Sequence, residues 1–267
     1  MDVGDVVGEV IPMKMISWNC NGGLRNKTDF LDQFDADILV VQECENPAHS
    51  THVFRDWAGQ YLWHGDNKNK GIGIFARKGH YIEALDWSAA EYEIRSPSPV
   101  QKTLKWQAHQ LESFLPCLIN GELTLIGAWT KQANSPNFHY IGQLWLYLQM
   151  QRDKIAARAD SLILCGDLNS NPIWDEVDRF WNHSDVVAEL KSLGLQSAYH
   201  CLKDEVAGQE TDPTFYLHRK ESKAYHIDYF FVPERMLPAS KLMLSSVDES
   251  LKMSDHRALI LEICSKG

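Results

Sequence analysis

Acidic side chains recur at the ends of apolar, strand-like runs in this chain of 267 residues. Glu43 and Asp167 each follow such a run, and Asp228 lies inside another. Asp255 and His256 stand directly before a fourth run. A carboxylate in or beside a core strand is costly unless it is paired or binds a metal ion. These residues are therefore candidates for one shared pocket with a chemical task.

The residue types in this set favour a hard divalent cation over zinc. Three amides, Asn19, Asn21 and Asn169, accompany the acids at the strand ends. Carboxylate and amide oxygens are the ligands that Mg²⁺ and Mn²⁺ prefer. A zinc site requires more histidine or cysteine. Cys20 and Cys44 each lie one residue from a candidate, so strand alternation turns their thiols to the opposite face.

Each acid taken alone has a simpler interpretation. Asp and Asn commonly form turns and helix caps, and for Asp167, in the segment GDLNSNP, a turn is the commoner explanation. Asp228 resists this interpretation because Ile227 and Tyr229 flank it within an apolar strand. The joint pattern is harder to explain by turn formation than any one of its members.

The elements that must position these residues alternate between strands and helices. Buried strands are indicated by continuous apolar runs, and helices by apolar residues three and four positions apart. The predicted strands are 15–19, 37–42, 71–76, 80–85, 104–111, 116–119, 123–129, 161–165, 227–232 and 258–263, and the predicted helices are 28–34, 141–148, 172–181 and 184–193. This order predicts an α/β fold with mixed sheets and helices on the outside.

Composition and charge limit the possible classes of protein. Apolar residues make up 44% and charged residues 23%, which is typical of a globular domain and excludes collagen-like or low-complexity chains. The net charge of −10 does not favour general binding to duplex nucleic acid. No apolar run is long enough for a membrane span.

Residues 1–12 are predicted to be a flexible extension without a signal peptide, followed by a single domain over 13–267. Six scattered cysteines without a CxxC pair indicate free buried thiols in a cytoplasmic protein.

Six segments together resemble the endonuclease/exonuclease/phosphatase superfamily. They are ISWNCNGGL, VVQEC, GIGIFAR, CGDLNSNP, HIDYFFVP and SDHRALIL, and they follow the family's order over residues 16–260. GDLN followed by SDH is specific, whereas WN or QE alone is weak. The resemblance implies a four-layer α/β sandwich in which two packed mixed β-sheets are flanked by helices. It also implies a metal-dependent hydrolase of phosphoesters.

The same resemblance implies a metal site. Its ion would be Mg²⁺, with Mn²⁺ as the alternative. The implied principal ligand is Glu43, with Asn19 or Asn21 near the same ion and Asp255 close by or binding a second ion. A phosphodiester repels nucleophiles because it is negatively charged, so a bound cation would assist attack by neutralising that charge.

The resemblance further implies a set of catalytic residues. Asp167 would take a proton from the attacking water or serve the leaving group, and Asn169 would position the water or a phosphate oxygen. His256 would contact the scissile phosphate, with its other ring nitrogen held by Asp228. A carboxylate partner fixes the tautomer of a histidine and raises its pKa, so this pairing would supply a cationic donor near neutral pH.

The chain departs from its relatives where substrate would be selected. Many relatives have His or Tyr after the central strand, where this chain has Trp129, followed by Lys131 as a possible source of positive charge. Packing in the core explains Trp129 equally well. Tyr225, beside the aromatic and basic segment 211–223, is a candidate for base stacking, although a solvated loop is the commoner explanation. Asn21 in place of an acid and Glu45 in place of a basic residue weaken an assignment as a strict abasic-site endonuclease.

The sequence therefore predicts a divalent-metal-dependent phosphodiesterase, and specifically a nuclease that cleaves DNA or RNA by in-line attack of water. Its expected partner is nucleic acid or another phosphoester, without a membrane, and a monomer is favoured. The first alternative is a phosphatase or phosphodiesterase for a small soluble phosphoester or a phosphotyrosyl–DNA adduct, which the charge of −10 favours somewhat. The second is an inactive binding module on the same scaffold. The sequence leaves three properties open. They are the choice between DNA and RNA, the choice between endonuclease and exonuclease action, and a preference for abasic sites.

Overall fold

The computed structural model describes residues 12–94, 104–111, 114–132 and 138–264. Strands account for most of the regular structure. Those within the described residues are β1 (Pro12–Asn19), β2 (Ile38–Cys44), β3 (Tyr61–Asn67), β4 (Lys70–Ala76), β5 (Ile82–Ala84), β6 (Glu91–Ile94), β7 (Leu104–Gln107), β8 (Phe114–Ile119), β9 (Leu123–Trp129), β10 (Leu162–Asp167), β11 (Leu195–Ser197), β12 (Phe215–Tyr216), β13 (Ala224–Tyr225), β14 (Asp228–Pro233), β15 (Lys241–Leu244) and β16 (Leu259–Cys264). The predicted extension, apart from Pro12, lies outside the described residues.

The α-helices are fewer than the strands. In the described part of the chain they are α1 (Thr28–Asp32), α2 (His52–Ala58), α3 (Ile141–Ala156), α4 (His183–Ser192), α5 (Ala198–Lys203) and α6 (Val247–Met253). The helix predicted over 172–181 is wrong, since only Pro172–Trp174 forms a single 3-10 turn. Asp175 accepts hydrogen bonds from the backbone N–H groups of His183 and Ser184, at 2.9 and 3.2 Å. These side-chain bonds fold the segment into a loop that leads into α4.

Two mixed sheets of six strands each form the centre of the described structure. Their strand orders are β15-β16-β1-β2-β4-β3 and β11-β14-β10-β9-β8-β5. In the first sheet β1 runs parallel to β2 and antiparallel to β16, and in the second β10 runs parallel to β9 and antiparallel to β14. β1 and β2 therefore end on the same side of the first sheet. The carboxyl ends of β1, β2 and β10 carry candidate site residues.

Strand alternation builds the layers. In β2, Ile38 and Val40 face the second sheet, whereas Leu39 and Val41 pack with residues of α1 and α2. The outer face of the second sheet packs against α3 and α4 in the same way. A strand that is covered on both faces is apolar throughout, which is why these runs were recognisable in the sequence. The four-layer α/β sandwich is confirmed.

Gly166 allows two strands to approach just before Asp167. Its φ is +149°, and a Cβ atom there would lie 1.7 Å from the carbonyl oxygen of Ala128 on β9. A side chain at this position would push β9 and β10 apart. The glycine of the GDLN segment thus fixes the position of the carboxylate that follows it.

Two further predictions concern the burial of the cysteine thiols and a membrane span. All six thiols are free; those of Cys20, Cys44, Cys117 and Cys165 are buried as predicted, but those of Cys201 and Cys264 are exposed. Among the described residues, no helix has the length and apolar character needed to cross a membrane.

Candidate active site

Three of the candidate residues have left-handed backbone conformations. The φ angles are +51° at Asn21, +61° at Glu43 and +44° at Asn169. Asn adopts this region readily, whereas Glu does so uncommonly. Glu43 lies at an irregularity between Gln42 and Cys44, where the pairing of β2 with β4 shifts register. Such a bulge changes the direction of a side chain at the end of a strand.

Asp167, at the end of β10 in the second sheet, makes a polar contact with the first sheet. Its Oδ2 accepts a hydrogen bond from Asn19 Nδ2 at 2.8 Å, across from the first sheet. Asn169 donates to the same carboxylate from its backbone N–H at 2.8 Å and from Nδ2 at 3.0 Å. Burial and the nearby Asp228 carboxylate raise the pKa of Asp167 well above the usual value for an aspartate. The group therefore has an unusual affinity for a proton.

His256 faces Asp167 and is held from behind by Asp228. The Nδ1 atom lies 2.9 Å from Asp228 Oδ2, and Nε2 lies 4.0 Å from Asp167 Oδ2. Burial lowers the pKa of His256, but the carboxylates of Asp228, Asp167 and Asp255 outweigh it and raise the pKa to about 9. The imidazole is accordingly a buried cation at neutral pH, with Nε2 directed toward the carboxylate of Asp167.

Glu43 and Asp255 lie on either side of Asn19. In the first sheet Asn19 is paired with Gln42, which directly precedes Glu43. On the other side, Ser254 Oγ donates a hydrogen bond to the carbonyl of Asn19 at 2.7 Å, and Asp255 follows Ser254. The structure thus brings both acids to the strand end that carries Asn19.

Asn21 and Glu43 make contacts of their own at this strand end. Asn21 is exposed and donates from its backbone N–H to Asn19 Oδ1 at 2.9 Å. Glu43 forms an ion pair with Lys70 at 2.8 Å. A lysine ammonium beside this carboxylate supplies positive charge where the sequence predicts a cation.

Two groups of residues are possible metal ligands, and the chemistry separates them. Single ligand atoms of Asp167, Asp228 and His256 lie within 4.8 Å of one another. In the first group, Nδ1 of His256 is already engaged by Asp228 Oδ2 at 2.9 Å, and Asp167 Oδ2 accepts hydrogen bonds from two amides. The oxygens of Glu43, Asn19 and Asp255 suit a hard divalent cation better.

The predicted substrate residues lie around this pocket in different settings. Trp129 is opposite Asp167 in the pairing of β9 with β10 and is only 5% exposed, with the ammonium groups of Lys70 and Lys131 at 5.6 and 5.1 Å from its ring. Lys131 also forms an ion pair with Asp66. Tyr225 is half-buried on β13. These contacts place Trp129 in the core at the edge of the pocket.

Several positioning contacts were not foreseen from the sequence. Thr214 Oγ1 accepts hydrogen bonds from the backbone N–H groups of Ile227 and Asp228, at 3.0 and 3.1 Å. Glu45 accepts from the backbone N–H groups of Leu24 and Arg25, at 2.8 and 3.1 Å, so its carboxylate fastens a loop. Ser254, which bonds the carbonyl of Asn19, lies within the SDH segment, and Glu45 was noted in the sequence only as a departure from the family.

The sequence of the chain, compared with models of protein families, matches the one described as the Endonuclease/Exonuclease/phosphatase family over residues 16–256. The chain belongs to this family. A comparison with curated protein sequences gives no match. Membership in the Endonuclease/Exonuclease/phosphatase family agrees with the resemblance carried by the six segments.

Solved structures share the fold at low sequence identity. A 3′ phosphatase from Neisseria, NExo, bound to a product DNA hairpin, is 18% identical, with a TM-score of 0.64 and coverage of 95% of this chain and 100% of that one. An AP endonuclease from Archaeoglobus fulgidus is 18% identical, with a TM-score of 0.62 and coverage of 93% and 98%. Truncated TDP2 from Caenorhabditis elegans is 15% identical, with a TM-score of 0.60 and coverage of 96% and 98%. The family's fold therefore extends over nearly all of this chain.

Proposed function

We propose that this protein is a Mg²⁺- or Mn²⁺-dependent phosphodiesterase that hydrolyses nucleic acid by in-line attack of water. The observation that carries the proposal is the buried pocket between the sheets, where Asn19 and Asn169 bind Asp167 and where His256 lies between two carboxylates. Four buried free thiols favour a reducing compartment, and we place the protein in the cytoplasm.

The metal ligands in this proposal are Glu43, Asn19, Asn21 and Asp255. Their donor atoms are oxygens, which fit Mg²⁺ or Mn²⁺. When bound, the ion supplies positive charge that offsets the negative charge of the phosphodiester. The ion pair between Glu43 and Lys70, at 2.8 Å, fits a position that attracts cations.

Asp167 is the proton acceptor in the proposed reaction. Its raised pKa brings its proton affinity close to what a general base needs near neutral pH. Asn169, which donates to Asp167 at 3.0 Å from Nδ2, holds the carboxylate in one orientation and orients the water or a phosphate oxygen. The two amides and the backbone N–H leave little freedom for the carboxylate to rotate.

His256 is the donor to the scissile phosphate. With a pKa of about 9 it is protonated at neutral pH, and its Nε2 points toward the pocket. Asp228 orients the ring through the bond of 2.9 Å to Nδ1. A cationic donor at this place stabilises the charge that develops on the phosphoryl oxygens.

Nucleic acid is the favoured substrate because solved structures with this fold include a DNA-bound 3′ phosphatase and an AP endonuclease. Lys131 at the edge of the pocket supplies positive charge, and the half-buried Tyr225 supplies aromatic surface. The second candidate is a phosphotyrosyl–DNA adduct or a small phosphoester. The net charge of −10 and the similarity to TDP2 favour it.

The experiment compares substrates with purified protein in Mg²⁺, Mn²⁺ or EDTA. Single- and double-stranded DNA, RNA, abasic DNA, a 5′-phosphotyrosyl oligonucleotide and a p-nitrophenyl phosphodiester are incubated with wild type, Asp167→Asn, His256→Ala and the surface control Asp160→Asn. We expect metal-dependent hydrolysis of an oligonucleotide by wild type and the control, and its loss in the other two variants. Hydrolysis of the small ester or the tyrosyl adduct alone would select the second candidate. No hydrolysis of any substrate would overturn the proposal.

A further inference from the structure

A cavity of about 590 Å³ opens beside Asn169 and Ser170. Trp174, Trp181, Tyr140 and His139 form much of its lining. The volume lies within the range of about 300–1,000 Å³ that is usual for small-molecule sites. We call this cavity the Trp174 groove. Because Asn169 belongs to both, the groove is continuous with the candidate active site.

The loop that carries Trp174 is fastened by hydrogen bonds. Asn171 Oδ1 accepts from the backbone N–H of Ile173 at 3.1 Å, and Arg179 Nη2 donates to the carbonyl of Trp174 at 3.0 Å. Asn182 Nδ2 donates to the carbonyl of Glu176 at 2.8 Å. Trp174 is thus presented on a preformed surface, which reduces the entropy lost when a ligand binds.

The lining offers aromatic surface and little unpaired charge. Trp174 is 42% exposed and Tyr140 is 44% exposed, which is high for large rings. Glu176 and Arg179 form an ion pair with each other at 3.2 Å. Arg179 Nε also donates to Asn182 at 2.7 Å, so this guanidinium is occupied with the loop. A flat, apolar ligand fits such walls better than a free phosphate does.

A row of rings joins the groove to the candidate active site. The ring centroids of Trp174 and Tyr225 are 5.1 Å apart, and those of Tyr225 and Phe215 are 6.5 Å apart. Phe215 in turn lies 4.6 Å from the ring of His256. A strand whose phosphate lies at His256 would therefore pass aromatic surface on its way to Trp174.

We propose that the Trp174 groove binds an unpaired nucleobase next to the scissile phosphate, stacked on Trp174, so that the protein selects single-stranded nucleic acid. The inference rests on the proposed function and adds the strandedness of the substrate. A base inside a duplex is already stacked and cannot present its face to a protein ring. The acidic chain also lacks the excess of Lys and Arg with which proteins hold duplex backbones.

The test distinguishes binding of the bases from attraction to the charged backbone. Binding is measured by fluorescence anisotropy, in Ca²⁺ to slow hydrolysis, for a labelled ten-nucleotide oligo(dT), oligo(U), a ten-unit abasic phosphodiester chain and a ten-base-pair duplex. The variants are Trp174→Ala, Trp174→Phe and the control Tyr81→Ala. Tyr81 is 43% exposed and stands before β5, near the end of the second sheet opposite the pocket, so it matches Trp174 in exposure without lying near the groove.

Wild type and Tyr81→Ala should bind oligo(dT) or oligo(U) about tenfold more tightly than the abasic chain and the duplex. Trp174→Ala should lose this preference, and Trp174→Phe should keep most of it. Circular dichroism and thermal unfolding check that each variant is folded. Equal affinity of wild type for base-containing and abasic chains would overturn the inference, as would an unchanged preference in folded Trp174→Ala.

Two further outcomes distinguish this inference from the proposed function. A base preference that depends on Trp174, in a protein that hydrolyses no phosphoester, would support the groove and overturn the hydrolase. Hydrolysis of oligonucleotides without any base preference would support the hydrolase and overturn the inference about the groove. Concentration-dependent dimers that Trp174→Ala abolishes, in a protein without base preference, would assign the groove to a second copy of the chain and overturn the inference.

Discussion

Two polar clusters lie on opposite faces of the second sheet. The first, the Asp–His cluster, consists of Asp167, Asp228 and His256 between the sheets. The second, the histidine cluster, lies on the helical side around Tyr229. It consists of His183, His200, His226 and Glu210. Asp228 and Tyr229 are neighbours on β14, and strand alternation directs them to opposite faces.

His256 of the first cluster and His183 of the second are both buried but differ in charge. His256 has Asp228 at 2.9 Å and a pKa of about 9. Among the described residues neither ring nitrogen of His183 has a hydrogen-bond partner, and burial lowers its pKa to about 4. Burial alone therefore makes a neutral histidine, and a carboxylate in contact makes a cation. The first cluster is suited to bind an anionic phosphate and the second is not.

The largest expected effect is the loss of hydrolysis in Asp167→Asn. Replacing the proposed proton acceptor should lower kcat by about 10²–10⁴-fold. The melting temperature should stay within about a few degrees of wild type, because the variant loses the repulsion with Asp228 and also one hydrogen-bond acceptor. Steady-state kinetics and thermal unfolding measure the two quantities. A comparable loss of kcat in folded His183→Phe would contradict the division between the clusters.

The second effect concerns acid stability and the histidine cluster. The folded protein holds His183 at a pKa of about 4, below its ordinary value of 6.5. The unfolded chain therefore binds a proton first, and the free energy of unfolding should fall as the pH drops from 6.5 to 4, by up to about 3 kcal/mol from this residue.

Urea unfolding of His183→Phe between pH 7.5 and 4.5 tests this effect. The variant should lose less stability on acidification than wild type, while its stability at pH 7.5 changes little because the ring nitrogens had no partners. The exposed control His49→Phe should behave as wild type. Parallel curves for all three proteins would show that His183 does not titrate as expected.

The third effect is on the charge of His256. In Asp228→Asn the ring loses its nearest anion, so its pKa should fall from about 9 toward 6.5. An NMR titration of the histidine ring protons in metal-free protein measures this value. Glu210→Gln, which changes a carboxylate that lies 3.0 Å from His200 in the other cluster, is the matched control and should leave it unchanged. The interpretation fails if both substitutions move the pKa equally.

The smallest effect is on metal affinity. Lys70→Met removes the ammonium beside Glu43, so Mn²⁺ should bind about two- to fivefold more tightly, as expected for a partly exposed ion pair. Lys78→Met, which breaks a pair with Asp35 on the surface, should leave the affinity unchanged. Calorimetric titration with Mn²⁺ gives both values. Weaker binding in Lys70→Met would mean that Lys70 supports the metal site.

The fold was predictable where strands are covered on both faces. Ile38–Cys44, Leu162–Asp167 and Asp228–Pro233 are apolar because layers enclose them, and continuous apolar runs indicated each one. The edge strand β3 was missed because its sequence, YLWHGDN, is half polar and half exposed. The loop after β10 was mistaken for a helix because hydrogen bonds from backbone N–H groups to the side chains of Asp175 and Asn182 override its apolar spacing.

The polar residues of the site were predictable from their positions at strand ends, and the resemblance supplied their roles. The pair of His256 with Asp228 was expected from the resemblance, and the apolar strand around Asp228 agreed with it. The bonds of Ser254 to Asn19 and of Lys70 to Glu43 depend on how distant strands align, which no local pattern encodes. The Trp174 groove was missed for the same reason.

The position of β16 has a consequence for synthesis of the chain. β16 lies between β15 and β1 in the first sheet, and β1 ends at Asn19, which contacts Asp167. A ribosome-bound chain that has not yet released residues 259–264 leaves β1 as an unpaired sheet edge. Completing the pocket therefore requires β16 to pair with β1, so we expect a growing chain to assemble the site only after residues 259–264 have left the ribosome.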